Sequence, residues 1–186
     1  MADFNPIENR NFLAPTGFKF VLERTPGVSF FCNQANIPSL DLGVAVQPTY
    51  LKDIDRPGDK LVFGDLSIRF LVDEDLKNYM EIQNWMRGLG YPESLEQIQN
   101  FGNTGNRAMD ARGNSRGEER LYSDGTMTIL NSSLVSNFLI KFQGLFPYSL
   151  TTLSFDATDT DVEYFTAEAS FKYTYYEITD LTGKTL

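Results

Sequence analysis

Between Phe165 and Tyr175 the chain alternates without a break. Phe165, Ala167, Ala169, Phe171, Tyr173 and Tyr175 are apolar or aromatic, and Thr166, Glu168, Ser170, Lys172 and Thr174 stand between them. A repeat of two is the pattern of a β-strand with one face buried, and a helix would spread those apolar residues around its circumference. The same alternation recurs at Phe18, Phe20 and Leu22, at Leu66, Ile68, Phe70 and Val72, and at Phe138, Ile140 and Phe142. Only one stretch departs strongly from it. Leu76, Tyr79, Met80, Ile82, Trp85, Met86 and Leu89 recur at helical spacing, with Asp73 as the expected N-cap, Glu74 and Asp75 in the first turn, Gly88 and Gly90 at the end, and Pro92 barring continuation. The pattern predicts a mainly β fold, an antiparallel sandwich or barrel closed by one flanking helix.

The finer expectations follow from turn chemistry. Thr25-Pro26-Gly27 predicts a hairpin between Phe18–Leu22 and Val28–Cys32. A loop is expected at Asn36-Ile37-Pro38. Leu42 to Leu51 reads as an edge or irregular strand, because Pro48 cannot donate to a ladder. Asp55-Arg56-Pro57-Gly58-Asp59 reads as a turn, Gly64-Asp65 as a bulge between Leu61–Phe63 and Leu66–Val72, and Ser123-Asp124-Gly125 as a hairpin turn between 120–122 and Thr126–Leu130. A short helical turn is expected over Pro92–Ile98, and a short strand over Thr152–Phe155. Residues 1–16 read as an N-terminal arm, and 17–186 as a single domain with a Gly- and Arg-rich mobile loop at about 101–124. Neither flank of that loop has enough strands to close a sheet alone.

Function is narrowed first by what is missing. The 186 residues contain no histidine and one cysteine, Cys32. That removes Ser-His and Cys-His dyads, a Cys-based zinc site and an internal disulfide framework, and leaves Cys32 as a small buried hydrophobe. There is no P-loop and no strand–Gly-rich turn–helix unit for a dinucleotide. Asp73, Glu74 and Asp75 are explained by a helix start rather than as catalytic carboxylates. Asp156, Asp159, Asp161 and Glu163 lack EF-hand spacing and read as a solvated turn. No catalytic, cofactor or metal residue is assigned. The net charge is −9, so attraction to nucleic-acid phosphates is not expected, because that affinity needs clustered Lys and Arg. Neither a signal peptide nor an apolar run of membrane-spanning length is present, so the chain is expected in the cytoplasm at synthesis without membrane insertion. Trp85 reads as core. Arg107, Arg112, Arg116 and Arg120 sit among Asp110, Glu118 and Glu119, either as a solvated loop or as partners for an acidic neighbouring subunit. Long strands, a charged loop, an arm and a proline-bearing edge, with no visible active site, describe a chain that completes itself by assembly.

The order of its motifs also carries a resemblance. Phe18-x-Phe20, then Phe30-Phe31-Cys32-x-x-Ala35-x-Ile37-Pro38, then Pro57-Gly58-Asp59-Lys60-Leu61-x-Phe63-x-Asp65-Leu66-x-Ile68-x-Phe70-x-Val72-Asp73-Glu74, the helix with Trp85, and the C-terminal Gly144-Leu145-Phe146-Pro147 before the last strands resemble the tail-tube proteins of contractile-tailed bacteriophages. The resemblance runs from Phe18 to Tyr176. It implies a structural, non-enzymatic virion subunit without cofactors, made in the host cytoplasm and resident in the tail. Such a subunit joins copies of itself into hexameric rings by continuing its sheet around a central channel. Stacked rings form a tube that conducts double-stranded DNA, with sheath and baseplate proteins as partners. An acidic bore would let DNA slide. In that picture the strand pair after Leu40 supplies the lumen wall and the loop Leu51–Lys60 the ring-to-ring contact. Leu51, Asp53, Asp55, Arg56 and Asp59, with Arg107, Arg112 and Arg116, are the candidate assembly residues. The arm and the 101–124 loop suit an alternative, a baseplate-proximal tube initiator or tube–hub adaptor ring. Related secretion-system rings carry effectors instead of DNA. A soluble β-sandwich binding module using Tyr148, Tyr175 or Tyr176 is the competing class, and a carboxylate-only glycosidase the third.

Overall fold

The computed structural model describes residues 12–90, 122–155 and 164–185. The elements run β1 (Phe18–Leu22), α1 (Pro26–Phe30), β2 (Cys32–Ala35), β3 (Leu40–Gln47), β4 (Ile54–Phe63), β5 (Leu66–Leu71), α2 (Lys77–Gly90), β6 (Ser123–Leu130), β7 (Ser136–Leu150), β8 (Thr166–Lys172) and β9 (Tyr175–Asp180). All strand pairs are antiparallel. The first half of β7 pairs with β6 on one side and β9 on the other, and β1 flanks β6. The second half of β7 pairs with β8, which continues through β5 to β2. One 15-residue strand therefore belongs to both sheets.

The expected alternation fills the space between them. Phe20, Leu22, Met127, Ile129, Ile140 and Phe142 come from one sheet, Leu66, Ile68, Phe70, Ala167, Ala169 and Phe171 from the other, and all are buried in a single cluster. Helix α2 adds Ile82 and Trp85, with Trp85 against Phe171 at a ring separation of 6.1 Å. The expected mainly β architecture with a flanking helix is the observed one.

Several local expectations are corrected. The hairpin between Phe18–Leu22 and Val28–Cys32 does not form. β1 pairs with β6, and residues 26–30 make a helical turn because Pro26 presets helical φ at its start while the Ser29 hydroxyl accepts the Leu22 N–H at 2.7 Å. Helix α2 starts at Lys77, not after Asp73. The Asn78 side chain accepts the Asp73 N–H at 3.1 Å and donates to the Leu71 carbonyl at 2.7 Å, closing a turn in which Leu76 has φ of 57°. Asp73, Glu74 and Asp75 therefore precede the first helical turn, and Leu76 and Met80 are exposed instead of joining the buried face.

Asp55–Asp59 is not a turn but part of β4, and the reversal lies at Pro48–Asp53, where the Thr49 hydroxyl bonds the Lys52 backbone. β3 accordingly stops at Gln47, before Pro48. Gly64-Asp65 is a passage between two sheets, since among the described residues β4 pairs only with β3 while β5 joins β2 and β8. Ser123-Asp124-Gly125 lies inside β6. Gly125 is there for clearance, because a Cβ would come within 2.6 Å of the Leu145 side chain. Thr152–Phe155 forms no strand; β7 instead extends through Phe146–Leu150. The long C-terminal alternation is cut at Tyr173 and Thr174, where the chain leaves one sheet for the other. Cys32 is half-buried on the edge strand β2 rather than fully buried, its thiol pushed up to about 11 by burial. The Pro92–Ile98 turn, residues 101–121 of the expected loop and most of the arm lie outside the described residues, whereas Ser123 and Asp124, the expected end of that loop, belong to β6.

Helix α2 also secures α1. The Glu81 carboxylate accepts the backbone N–H groups of Gly27 and Val28, and its Oε2 is buried without a hydrogen-bond partner. Burial holds this carboxyl above its ordinary 4.5. A carboxyl raised on folding keeps its proton longer in the native than in the unfolded state, so the stability it contributes falls as pH rises through that interval. Replacing Glu81 with Ala leaves two N–H groups without their acceptor and is expected to cost about 1–3 kcal/mol. Glu81→Gln should narrow its stability deficit relative to wild type as pH rises from 4.5 toward neutrality, a change read by urea denaturation at several pH values.

Candidate functional site

The hairpin β3–β4 stands apart from the folded body. It forms its own two-stranded sheet, and every residue from Leu40 to Val62 except Gly58 is exposed. Cross-strand partners of an antiparallel pair share a face. The register places Leu40 with Phe63, Leu42 with Leu61, and Val44 with Pro57, so one face is a nearly continuous apolar stripe ending at Val46 beside Asp55. Val44 and Val46 remain 65% and 57% exposed. A solvated β-hairpin normally keeps one face polar and buries the other. Among the described residues, this one buries neither. Asp41, Ala45, Gln47, Ile54, Arg56 and Val62 occupy the second face, where the Arg56 Nε donates to Gln47 Oε1 at 2.8 Å.

A break in register bends the hairpin midway. Gly43 alone stands opposite Gly58, Asp59 and Lys60. The strands approach so closely that a Cβ on Gly58 would lie 2.4 Å from the Gly43 carbonyl oxygen. Pro57 and Gly58, residues of a turn in most settings, here form a bulge in β4.

The root is where the hairpin meets the body. Gly64 N–H donates to the Ser39 carbonyl at 2.9 Å. Phe63 packs edge-on against Tyr173 and Tyr176 at ring separations of 6.0 and 5.7 Å, and both tyrosines also touch Phe142 of the core. The Tyr173 hydroxyl is buried without a partner, and burial pushes its pKa up to about 12. Asp65, the next charged residue along the chain, is held by the Lys172 ammonium and by the Tyr148 hydroxyl at 2.5 Å. Lys172 foremost, then Tyr148, keeps its carboxyl below the ordinary range. These groups are largely exposed, so the cluster orients the root more than it stabilises the fold.

Of the residues singled out from sequence, Leu51 and Asp53 lie at the hairpin tip and Asp55, Arg56 and Asp59 along β4. The structure thus gathers five of them on one projecting element. The Leu51–Lys60 segment is not a loop throughout; from Ile54 onward it is strand. Arg107, Arg112 and Arg116 lie outside the described residues, as do Arg120 and the acidic set Asp156, Asp159, Asp161 and Glu163. The aromatic residues proposed for ligand binding do not form one platform. Tyr148 is bonded to Asp65, Tyr175 donates to Gln143 Oε1 at 2.6 Å, and Tyr176 is half-buried in the root cluster. Sequence reasoning missed the apolar stripe itself, Leu40, Leu42, Val44, Val46 and Leu61. Its signal was the period of two over Leu40–Val46, which is equally the signal of a strand facing a core.

No family model and no curated protein matches the sequence. Solved structures do resemble it. The tube-terminating cap of the anti-feeding prophage superposes with a TM-score of 0.61 at 17% identity, covering 97% of this chain and 99% of that one. A chain of the sheath/tube terminator of the PVC extracellular contractile injection system gives 0.55 at 14% identity, covering 92% and 99%. A chain of the sheath–tube complex of that system gives 0.53 at 14% identity, covering 97% and 100%. The chain therefore has the fold found in these contractile injection assemblies, in agreement with the fold its motif order implies.

The geometry makes the root testable on its own. Phe63→Ala should loosen the hairpin without removing a core residue. Trypsin cleavage at Lys52 and Lys60 is expected to accelerate roughly tenfold, a loss of about 1.4 kcal/mol of protection, while the thermal midpoint of the body changes little. An unchanged cleavage rate would show that Phe63 does not anchor the hairpin.

Proposed function

We propose that this chain is a structural, non-catalytic member of the tail-tube family, a subunit that joins copies of itself into rings and, through stacked rings, into the tube of a contractile tail. The observation that carries this reading is the hairpin β3–β4, whose apolar stripe finds no cover among the described residues. Full burial of a Val or Leu side chain contributes about 1.5–3 kcal/mol relative to exposure. A stripe of five such side chains therefore holds enough free energy to drive association once a neighbouring copy covers it. The whole-length likeness to chains of contractile injection assemblies supports the same reading. The chain is then an arm over 1–16 and a single tube-like domain over 17–186. Leu51, Asp53, Asp55, Arg56 and Asp59 would be contacts between copies, and Arg107, Arg112 and Arg116 would meet an acidic neighbour. Sheath and baseplate proteins are its other proposed partners, the virion tail its destination and the host cytoplasm its place of assembly.

Conduction of double-stranded DNA is the finer part of this proposal. The net charge of −9 disfavours sticking to phosphates. The hairpin alone supplies little of that repulsion, because Asp41, Asp53, Asp55 and Asp59 are nearly balanced by Lys52, Arg56 and Lys60. If the hairpins form the lumen wall, most of the acidic field must come from other parts of the ring. A second reading, a ring at the end of the tube, is favoured by the likeness to a tube-terminating cap and to a sheath/tube terminator.

Negative-stain microscopy and sedimentation over a concentration series test the proposal. Rings with an open centre, with six subunits as the expected symmetry, support it; long self-grown tubes favour the main tube subunit and isolated rings favour the tube-end reading. Val44→Asp together with Val46→Asp should leave a folded, strictly monomeric subunit. Assembly that survives this double change would remove the hairpin from the interface, and a wild-type chain that stays monomeric at all concentrations and on added tube would overturn the proposal.

A further inference from the structure

One end of the sheet formed by β1, β6, β7 and β9 carries exposed apolar side chains on three neighbouring connections. β1 begins beside the end of β6, with Phe18 opposite Ile129, and β9 ends beside the start of β7, with Asp180 opposite Phe138. The entry to β1, the β6–β7 turn and the turn after β9 therefore lie side by side. A turn closed by the Gly17 N–H on the Ala14 carbonyl keeps Leu13 near the first; Leu134 and Val135 stand at the second and Leu181 at the third, and all four are more than half exposed. The β6–β7 turn is held firmly from within. The Asn131 side-chain oxygen accepts the Ser133 and Val135 N–H groups at 2.9 and 3.0 Å, the Asn131 N–H donates to the Val135 carbonyl at 2.8 Å, and the Leu134 N–H donates to the Asn131 carbonyl at 2.9 Å. These bonds set Leu134 at a φ of 58°, a left-handed conformation that Gly or Asn adopts at lower cost. A leucine kept there, 71% exposed, finds no offsetting cover among the described residues.

We infer that the N-terminal arm crosses this end of its own chain and seats Phe4 and Ile7 on Leu134, Val135 and Leu181. The place where the described chain begins selects the occupant. It begins at Phe12, five residues after Ile7 and eight after Phe4. At about 3.3 Å per extended residue these intervals span about 17 and 26 Å. The four strands from β1 to β9 are three spacings wide, about 14 Å, so Ile7 reaches the β6–β7 turn and Phe4 the turn after β9. Apolar side chains joined this closely to their seat have a local concentration on the order of millimolar. A second copy in dilute solution does not match that, and it would have to displace the arm first. The contact is made within one chain, so it stands apart from the ring reading. It gives this end of the sheet a cover of its own, separate from the hairpin surface proposed for association.

The test is disulfide trapping in the full chain. Cys32→Ser removes the native thiol, and Glu8→Cys with Ser133→Cys places one thiol on the arm and one on the exposed β6–β7 turn while leaving every apolar side chain of the proposed contact in place. Oxidation at a concentration where the protein is monomeric should form the bond within one chain, at a rate that does not change on dilution. Two further variants of this protein remove the contact from either side: Phe4→Ser with Ile7→Ser on the arm, and Leu134→Asn on the turn. Asn suits the left-handed backbone there and replaces an exposed side chain, so the turn should keep its fold, checked by circular dichroism and the thermal midpoint. Each variant should form the bond roughly tenfold more slowly, the scale of losing one apolar side chain's burial. An unchanged rate in either variant overturns the inference, because the tether alone would then account for the bond. So does a covalent dimer formed at a comparable rate when the Glu8→Cys and Ser133→Cys single variants are mixed, which would assign the arm to a neighbouring copy. The rates are read on monomers, so failure of the chain to form rings counts against the ring reading and leaves this one to be decided by the trapping.

Discussion

Everything in this fold depends on how β7 bends. A single 15-residue strand serves two sheets, and the change from one to the other is made at Gly144. Its φ of +68° is a conformation that side-chain-bearing residues rarely adopt, and a Cβ there would come within 2.5 Å of the Thr174 hydroxyl. The Asp124 carboxylate accepts the Gly144 N–H at 3.1 Å, and the Gln143 carbonyl accepts the Thr174 N–H at 2.9 Å. The start of β6, the bend of β7 and the junction of β8 with β9 are thereby tied at one corner. Two twisted sheets with a common strand must face each other across a core, which is why the alternating residues of both sheets meet in one cluster.

The same corner sets the hairpin. Because β8 must end where β9 begins, Tyr173 and Tyr176 fall on either side of the junction and both contact Phe142, leaving their outer surfaces to receive Phe63. The root is thus fixed by the part of the body that is most constrained, whereas the rest of the hairpin depends on its own cross-strand bonds. Folding of the body is consequently separable from the hairpin's apolar stripe. Core burial accounts for the fold without any contribution from Leu42, Val44 or Val46, and those side chains stay exposed among the described residues.

How much of this is written in the residues varies with the kind of signal. Period-two alternation located β1, β5, β8 and the first half of β7 because one face of each is buried and the other is wet. It could not show that the 165–175 run is divided between two sheets: the core-facing residues are odd-numbered up to Tyr173 and then Tyr176 and Ile178, while Tyr175, which continues the run in sequence, is exposed. Turn residues misled where close approach, not reversal, was the reason for glycine. Gly125 and Gly58 both lie inside strands, one clearing Leu145 and the other Gly43. Asp73 has the chemistry of an N-cap, yet Asn78, five residues later, takes over the capping from within the helix and moves its start to Lys77. The candidate contacts Leu51 to Asp59 fell on the right element, but through the resemblance. An exposed apolar stripe and a buried one have the same spelling, and only the three-dimensional register distinguishes them.

The two edges of the hairpin differ in a way that bears on how copies can add to it. β4 carries the irregularity: Pro57 has no N–H to offer a neighbour, and residues 58–60 swell away from the ladder opposite Gly43. Such features block the pairing of an exposed edge. β3 has neither proline nor extra residues, and its outer edge is regular over 8 residues. A copy that extends the sheet therefore has one competent edge on this hairpin, not two. In the proposed assembly each copy would then give β3 and accept on some other surface, which is the condition for a directional, heterologous contact. Two copies joined β3 to β3 would leave the apolar stripes without a continuing series, and a contact that passes in one direction is what allows a ring to close.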